Sequence, residues 1–428
     1  MIPALYDHQK RIIDEDESMA VLALGTGSAK TRTALELARG NTLVIVPKQQ
    51  KLDASWEKNR DTFGIKTPIT TISKETFRRD WRIIGQYETV IIDEFHYVLG
   101  VLPDTRTRKG QTIPKMSQMF EAVLAYLRQN PPKRLYMLSA TPIAKPMNLY
   151  ALLTLFGRKV DFFKFRARFY FEKKIGYRSL WMPRKDKASK ELLITLLKTK
   201  VKTYTGQLSD YFDVPEQTHK TIYVELTQEQ NRAIQELALE EADPMVSRAL
   251  QRTIENGIRY RVGADTQEVG GKECRIVKQT ETYRSHKIEK IKEFCEEFPK
   301  VLIFAAYTGQ IAEIKRHLED EHQTVYTLTG QTKNRENVIK EAEASEACIV
   351  IAQSSISSGY ELPSFPCVIF ASKSYLFRDY EQGLGRVLRA NKLKKNLYVH
   401  LVVEGGVDQD CHDSIISGAD FQEKLLEQ

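Results

Sequence analysis

From Met1 to about Gly157 the chain alternates helical patterns with short apolar runs: MAVLAL (19–24), TLVIVP (42–47), TVIIDE (89–94) and RLYMLSA (134–140). Runs this short, continuous and rich in β-branched residues read as strands buried on both faces, which predicts a parallel sheet covered by helices. A second series begins near Pro215 with KTIYVEL (220–226). It continues through KVLIFAAY (300–307), ACIVIAQ (347–353), CVIFAS (367–372) and LYVHLVV (397–403), with helical patterns such as SHKIEKIKEFCEEF (285–298) between them. One α/β layout is thus written twice, and two parallel-sheet domains in tandem are expected.

Between the two series, residues 158–212 lack strand periodicity and read as a mainly helical insertion. The expected organisation is therefore 1–157 as first domain, 158–212 as insertion or linker, and 213–428 as second domain. A chain of 428 residues is too long for a single hydrophobic core, at about 100–200 residues per domain, and supports this division. A polar insert at about 243–284 interrupts the second domain, and its Gly257, Gly263, Gly270 and Gly271 point to loops or a hairpin.

Charge changes the picture in one place. The net charge is +8, yet between Lys164 and Gly206 thirteen lysines and arginines stand against three acidic residues, leaving the rest near neutral. Clustered cations of this kind suit a nucleic-acid backbone, because they replace its condensed counterions; a solvated helical face is the alternative. Lys173, Lys174, Arg184 and Lys185 are the candidate contacts. The interleaved Phe165, Phe169, Tyr170, Phe171, Tyr177 and Trp181 could stack on bases, but a set so dense reads better as core.

Other classes recede. No apolar run approaches the ~20 residues that span a bilayer, and the start, MIPALYDHQK, lacks the layout of a signal peptide, so a cytoplasmic location is expected. Five scattered cysteines with no CxxC spacing predict reduced, buried thiols rather than disulfides or zinc.

The stretch LGTGSAKTRT (24–33) follows an apolar strand and precedes a helical pattern. Gly25, Thr26, Gly27, Ser28 and Ala29 would offer backbone N–H groups and a helix N-terminus to phosphates. Lys30 would reach the β/γ phosphates, and Thr31 would ligate Mg²⁺. Ala29 departs from the usual glycine: a negative φ there tolerates alanine, whereas a positive one impairs binding. The run VIIDEFH (90–96) ends a strand in two carboxylates, Asp93 to hold the metal and Glu94 to orient and deprotonate the attacking water.

Read together, these motifs resemble those of superfamily 2 helicases and translocases. Tyr6-Asp7-His8-Gln9 is similar to the element that contacts adenine, with Gln9 as reader; 24–31 resembles motif I, Asp93–His96 the DExH form of motif II, and Ser139-Ala140-Thr141 motif III. Ser358-Gly359-Tyr360-Glu361-Leu362-Pro363 is similar to motif V, with Glu361 where many members carry Asp, and the string from Gln382 to Arg389 is similar to motif VI.

The resemblance implies two RecA-like domains, ATP and Mg²⁺, and Arg386 and Arg389, three apart on an expected helix, reaching the γ-phosphoryl across the cleft between domains. It also implies a nucleic-acid track, for which Lys48, Lys74, Thr329 and Ser357 are candidates at strand ends. Residues 98–115, with Arg106, Arg108 and Lys109, read as a loop-like insert that could touch or split a duplex. The helical insert after ATPIAKPMNLYALLTLF resembles the layout of Snf2-type translocases and their small phage relatives, whereas SAT and GYELP look more like unwinding helicases. The expected function is an ATP-dependent DNA helicase or translocase acting on single-stranded, forked or branched DNA, monomeric and in the host cytoplasm if phage-encoded. An RNA helicase, or an ATPase switch that does not unwind, is the alternative.

Overall fold

The computed structural model describes residues 3–426 apart from 109, 176–177, 213, 215, 241–243, 270–271, 320–323, 357–359 and 389–394. The chain divides into two units, Met1–Phe212 with Asp420–Gln428, and Asp213–Ala419.

In the first unit the strands in chain order are β1 (Met19–Leu24), β2 (Thr42–Val46), β3 (Ile69–Ser73), β4 (Thr89–Asp93), β5 (Val101–Arg108), β6 (Gln111–Met116), β7 (Arg134–Leu138), β8 (Tyr170–Ile175), β9 (Arg178–Pro183) and β10 (Thr203–Gly206). Six of them form one parallel sheet in the order β10-β1-β7-β4-β2-β3. Val21, Ala23, Leu43, Ile45, Val90 and Ile92 pack on one face, while Ala20, Leu22, Leu24, Val44, Val46 and Ile91 pack on the other. Burial on both faces is why these strands are continuous apolar runs.

In the second unit β11 (Gln217–Val224), β14 (Lys300–Ala305), β15 (Val325–Leu328), β16 (Cys348–Gln353), β17 (Cys367–Phe370) and β18 (Asn396–Val403) form a parallel sheet in the order β11-β18-β17-β14-β16-β15; β12 (Ile258–Val269) and β13 (Lys272–Thr282) pair as a separate antiparallel hairpin. Both sheets carry helices on their faces. The fold is two RecA-like α/β units.

Three sheet strands escape the apolar pattern, β3 (ITTIS), β10 (TYTG) and β15 (VYTL). Each occupies a sheet edge, where one flank is unpaired and threonine is tolerated, so no continuous apolar run marks it. The basic segment has helices Phe162–Phe169 and Lys187–Lys200, but also the β8–β9 hairpin, and it ends by pairing β10 with β1. Its Phe165, Phe169 and Tyr170 are buried with Leu193 and Leu197 in the core of the first unit, while Phe171 is exposed and Tyr177 lies outside the described residues.

The insert at 243–284 contains the helix Pro244–Glu255 as well as the hairpin. That helix is tied into the second unit by buried charge. Glu255 accepts from the backbone N–H of Val407 (3.0 Å) and Asp408 (2.7 Å), and Lys287 Nζ reaches Asn256 Oδ1 (2.8 Å) and Asp408 Oδ2 (2.7 Å). Cys295, Cys348, Cys367 and Cys411 are buried thiols outside any disulfide, as expected for cysteines in core positions. Among the described residues no helix is long and apolar enough to cross a membrane.

Candidate nucleotide site

Parallel strands deliver their carboxyl ends to one edge of the sheet, and β1, β7 and β4 are consecutive neighbours in it. The loop Gly25–Ala29 therefore leaves β1 beside Ser139, which follows β7, and Asp93, which ends β4. Such a sheet edge is where open α/β folds bind ligands.

The loop is closely packed. Gly25 N donates to Gly206 O at 2.8 Å, and a Cβ on Gly25 would meet Leu208 N at 3.2 Å, so the segment after β10 lies against the loop and requires glycine. Ser28 Oγ donates to Gly25 O at 2.6 Å. A ring nitrogen of His8 lies 3.1 Å from Ser28 O and donates to it; burial lowers the His8 pKa, consistent with a neutral ring.

Ala29 adopts φ 59°, ψ 34°, the positive-φ alternative, in which the methyl group is disfavoured relative to glycine and weaker phosphate binding is expected. In this region an L side chain costs about 1–2 kcal/mol. The conformation is held from both sides, because Ala29 O accepts from Thr33 N (3.2 Å), Thr33 Oγ1 (3.2 Å) and Gln9 Nε2 (3.4 Å). Gln9 is fully buried and also bonds Thr33 Oγ1 at 3.2 Å and Tyr6 N at 3.0 Å, so its amide clamps the helix Asp7–Glu15 to the loop.

At the start of the helix Lys30–Leu37, Lys30 Nζ donates to Leu24 O (2.7 Å) and Gly25 O (3.0 Å), across the mouth of the loop. The Thr31 side chain is half-buried in the first turn of this helix. Asp93 Oδ2 accepts from the indole N–H of Trp56 at 3.2 Å, and Asp93 Oδ1 from its neighbour Glu94 N at 2.9 Å. Burial, followed by the adjacent Glu94 charge, pushes the Asp93 carboxyl up to about 7, against the pull of Lys30. Trp56 carried no signal in the sequence, where it is one aromatic in a polar helical stretch.

Glu94 has φ 47°, ψ 50°, a second non-glycine residue in the left-handed region. Its Oε2 lies 3.2 Å from His96 Nδ1, which lies 2.9 Å from Ser139 Oγ; Ser139 Oγ in turn accepts from Thr141 N at 3.1 Å. Glu94 is thus linked through the His96 ring to the SAT turn. The donor set of phosphate loop, lysine, threonine hydroxyl and desolvated aspartate fits a nucleoside triphosphate with a hard divalent cation.

The second unit carries the remaining motif residues. Gln382 is buried in the helix Phe377–Leu384. Arg386 does not lie on that helix, which ends at Leu384 with Gly385 as its C-cap. Gly383 and Gly385 weaken helix propagation, and the next turn bonds elsewhere: Leu362 N donates to Arg386 O at 2.9 Å. The Arg386 guanidinium is largely buried and donates to Tyr360 O at 2.6 Å and Gln382 O at 2.9 Å, bracing motif V against motif VI. Glu361 is exposed beside that brace. Arg389, Ser357, Ser358 and Gly359 lie outside the described residues.

Of the candidate track residues, Lys48, Lys74 and Thr329 lie just after strands. Lys48 is exposed after β2, and Lys74, after β3, places Nζ 3.4 Å from the centre of the Tyr97 ring. Thr329 follows β15 in a turn closed by Thr332 Oγ1, which accepts from Thr329 N at 2.9 Å. Lys173, Lys174, Arg184 and Lys185 are exposed on and just beyond the β8–β9 hairpin. The expected loop at 98–115 is instead the β5–β6 hairpin, in which alternating polar residues concealed the strand pattern. Arg106 is ion-paired with Glu121, Arg108 lies 3.9 Å from the same carboxylate, and Lys109 is outside the described residues.

Residues 286–391 match the helicase conserved C-terminal domain family, a span within the second unit, Asp213–Ala419. None of the curated proteins matches the chain. The matched residues correspond to the C-terminal RecA-like domain of helicases, and in this region the chain is similar to nucleic-acid helicases and translocases, proteins that hydrolyse ATP.

Proposed function

We propose that the chain is an ATP-dependent DNA helicase or translocase of the superfamily 2 DExH type. The observation that carries this reading is the convergence of the Lys30 loop, Asp93, Glu94 and Ser139 on the carboxyl edge of three neighbouring strands.

In this reading the loop N–H groups and Lys30 bind the phosphates, with Lys30 exchanging its carbonyl partners for phosphate oxygens. Gln9 contributes to the adenine contact. Thr31 and Asp93 hold Mg²⁺, which supplies charge neutralisation at the phosphates when bound. Glu94 accepts a proton from the attacking water, and His96 and Ser139 orient it. Arg386 and Arg389 serve the charge developing on the γ-phosphoryl, a task worth roughly 10³–10⁵ in rate for an arginine finger. Arg386 must then exchange its bond to Tyr360 O. Lys48, Lys74, Thr329 and Ser357 contact the backbone of the nucleic acid, without reading bases.

The test is ATP hydrolysis without nucleic acid and with single-stranded, duplex, forked and four-way-junction DNA, and with RNA, using Glu94→Gln as the blank. Stimulation strongest on forks or junctions is expected of a remodelling helicase, and stimulation by plain duplex of a translocase. Stronger stimulation by RNA would transfer the reading to an RNA helicase. No hydrolysis on any substrate would overturn it.

A further inference from the structure

Away from the nucleotide edge, the first unit has a cavity of about 710 Å³ bounded by the helix Lys74–Asp80 with the turn that follows it, the helix Gln118–Gln129 and the β5–β6 hairpin. Five arginines line it: Arg78, Arg79, Arg82, Arg108 and Arg128. All five are exposed, and no lysine is among the lining residues. The floor is apolar, from Trp81, Met116, Ala122 and Leu124.

The local acids do not neutralise this rim. Glu121 is engaged by Arg106 and Arg108, and Asp80 pairs with Arg79 at 2.8 Å. Arg78, Arg82 and Arg128 form no ion pair among the described residues; the Arg82 guanidinium lies 4.6 Å from the centre of the Trp81 ring. Like charges gathered around one concavity repel one another, so an anionic occupant is the arrangement that relieves them. Guanidinium forks match phosphate oxygens in pairs, where ammonium groups act as point charges. Arg78 also lies one helical turn beyond Lys74, about 6 Å along the same helix face. The rim therefore continues from a residue already assigned to the backbone track.

We propose that this arginine-lined cleft is a second phosphodiester-backbone site, holding a stretch of the nucleic acid beyond the track at the strand ends. The site rests on the reading of the chain as a nucleic-acid motor, and it takes backbone of any sequence.

The experiment compares the full chain with the triple variant Arg78→Gln/Arg82→Gln/Arg128→Gln. Circular dichroism and the thermal midpoint check that the exposed substitutions leave the fold intact. Dissociation constants for a forked DNA are measured from about 50 to 200 mM salt, alongside nucleic-acid-stimulated hydrolysis by the wild type. The expected result is at least a tenfold weaker complex at low salt and a log–log salt slope shallower by about 2–3, since each lost phosphate contact removes about 0.7–0.9. An unchanged affinity and slope overturns the cleft proposal; if the wild type is still stimulated by DNA, the motor reading survives that result. A wild type that binds no nucleic acid overturns both. Binding of polyglutamate that the variant loses, with DNA affinity unaltered, would reassign the cleft to an acidic protein segment and overturn the proposal as stated.

Discussion

His96 Nδ1 lies 2.9 Å from Ser139 Oγ and 3.2 Å from Glu94 Oε2, so one imidazole edge joins the general base of the proposed reaction to the turn after the neighbouring strand. Ser139 is fully buried, and its oxygen also receives Thr141 N. Ser139→Ala removes both bonds, at a cost of about 1–3 kcal/mol where a buried partner is left unsatisfied. Nucleic-acid-stimulated kcat is expected to fall about tenfold with KM for ATP little changed, because the phosphate loop is untouched. A rise in KM with kcat intact would sink the orienting role.

Ala29 is held in the left-handed region in which glycine is unstrained. Ala29→Gly relieves about 1–2 kcal/mol of backbone strain and gives back about 0.5–1 kcal/mol through the freer unfolded chain. A net gain between about 0 and 1.5 kcal/mol is expected, read as a higher thermal midpoint, with ATP hydrolysis detectable in both proteins. A wild type with no turnover, restored by glycine, would show that alanine costs the loop its function.

The Trp56 indole donates to Asp93 Oδ2 at 3.2 Å. Trp56→Phe keeps the apolar ring and removes a hydrogen bond to the Asp93 carboxyl, worth about 1.5–3 kcal/mol in the ionised form that holding Mg²⁺ requires. The Mg²⁺ concentration giving half-maximal hydrolysis is expected to rise roughly tenfold. Magnesium titration of the ATPase rate checks this, and an unchanged midpoint would mean the indole serves packing alone.

Three histidines predict acid sensitivity in the second unit. His219 Nδ1 lies 3.2 Å from His400 Nε2, and His412 Nδ1 lies 2.8 Å from Lys373 Nζ. Burial first, and the Lys373 charge second, pull His412 down to about 4 and His400 to about 2; burial lowers His219 as well. Each folded pKa is below the ordinary 6.5, so the unfolded chain binds more protons in acid. Stability is then fully present above pH 6.5 and falls as pH drops towards the folded values, by up to about 1.4 kcal/mol per pH unit for each of the two buried rings, His400 and His412, and by less for the exposed His219. Thermal unfolding between pH 7 and 5 should show this decline, and His412→Gln should flatten it.

The basic hairpin supplies an independent test. Replacing Lys173, Lys174, Arg184 and Lys185 by glutamine is expected to weaken DNA binding and reduce its salt slope by up to about 0.9 per lost phosphate contact. An unchanged slope would return these exposed cations to solvation alone.

The central strands and the phosphate loop were legible because their physics is local. β1, β2, β4, β7, β14, β16, β17 and β18 are buried on both faces and are therefore predominantly apolar, with their few polar residues mostly at the strand ends. Lys30, Asp93 and Glu94 stood out as candidates because phosphate and metal chemistry calls for those residue types immediately after such strands. Motif VI was legible as a string, but the end of its helix was not. Arg386 leaves the helix because Leu362, far away in the chain, takes its carbonyl.

The amino-acid sequence by itself determined two α/β units, their interior strands and the order of the nucleotide motifs, since side-chain patterning and strand-end chemistry are written in consecutive residues. Only the tertiary structure decided that β10 returns from the basic segment to flank β1, that Trp56 and His96 reach Asp93, Glu94 and Ser139, and that five arginines from four elements meet around one cavity. Edge pairing, hydrogen bonds between distant side chains and shared concavities depend on which elements become neighbours, and packing of the whole unit sets that.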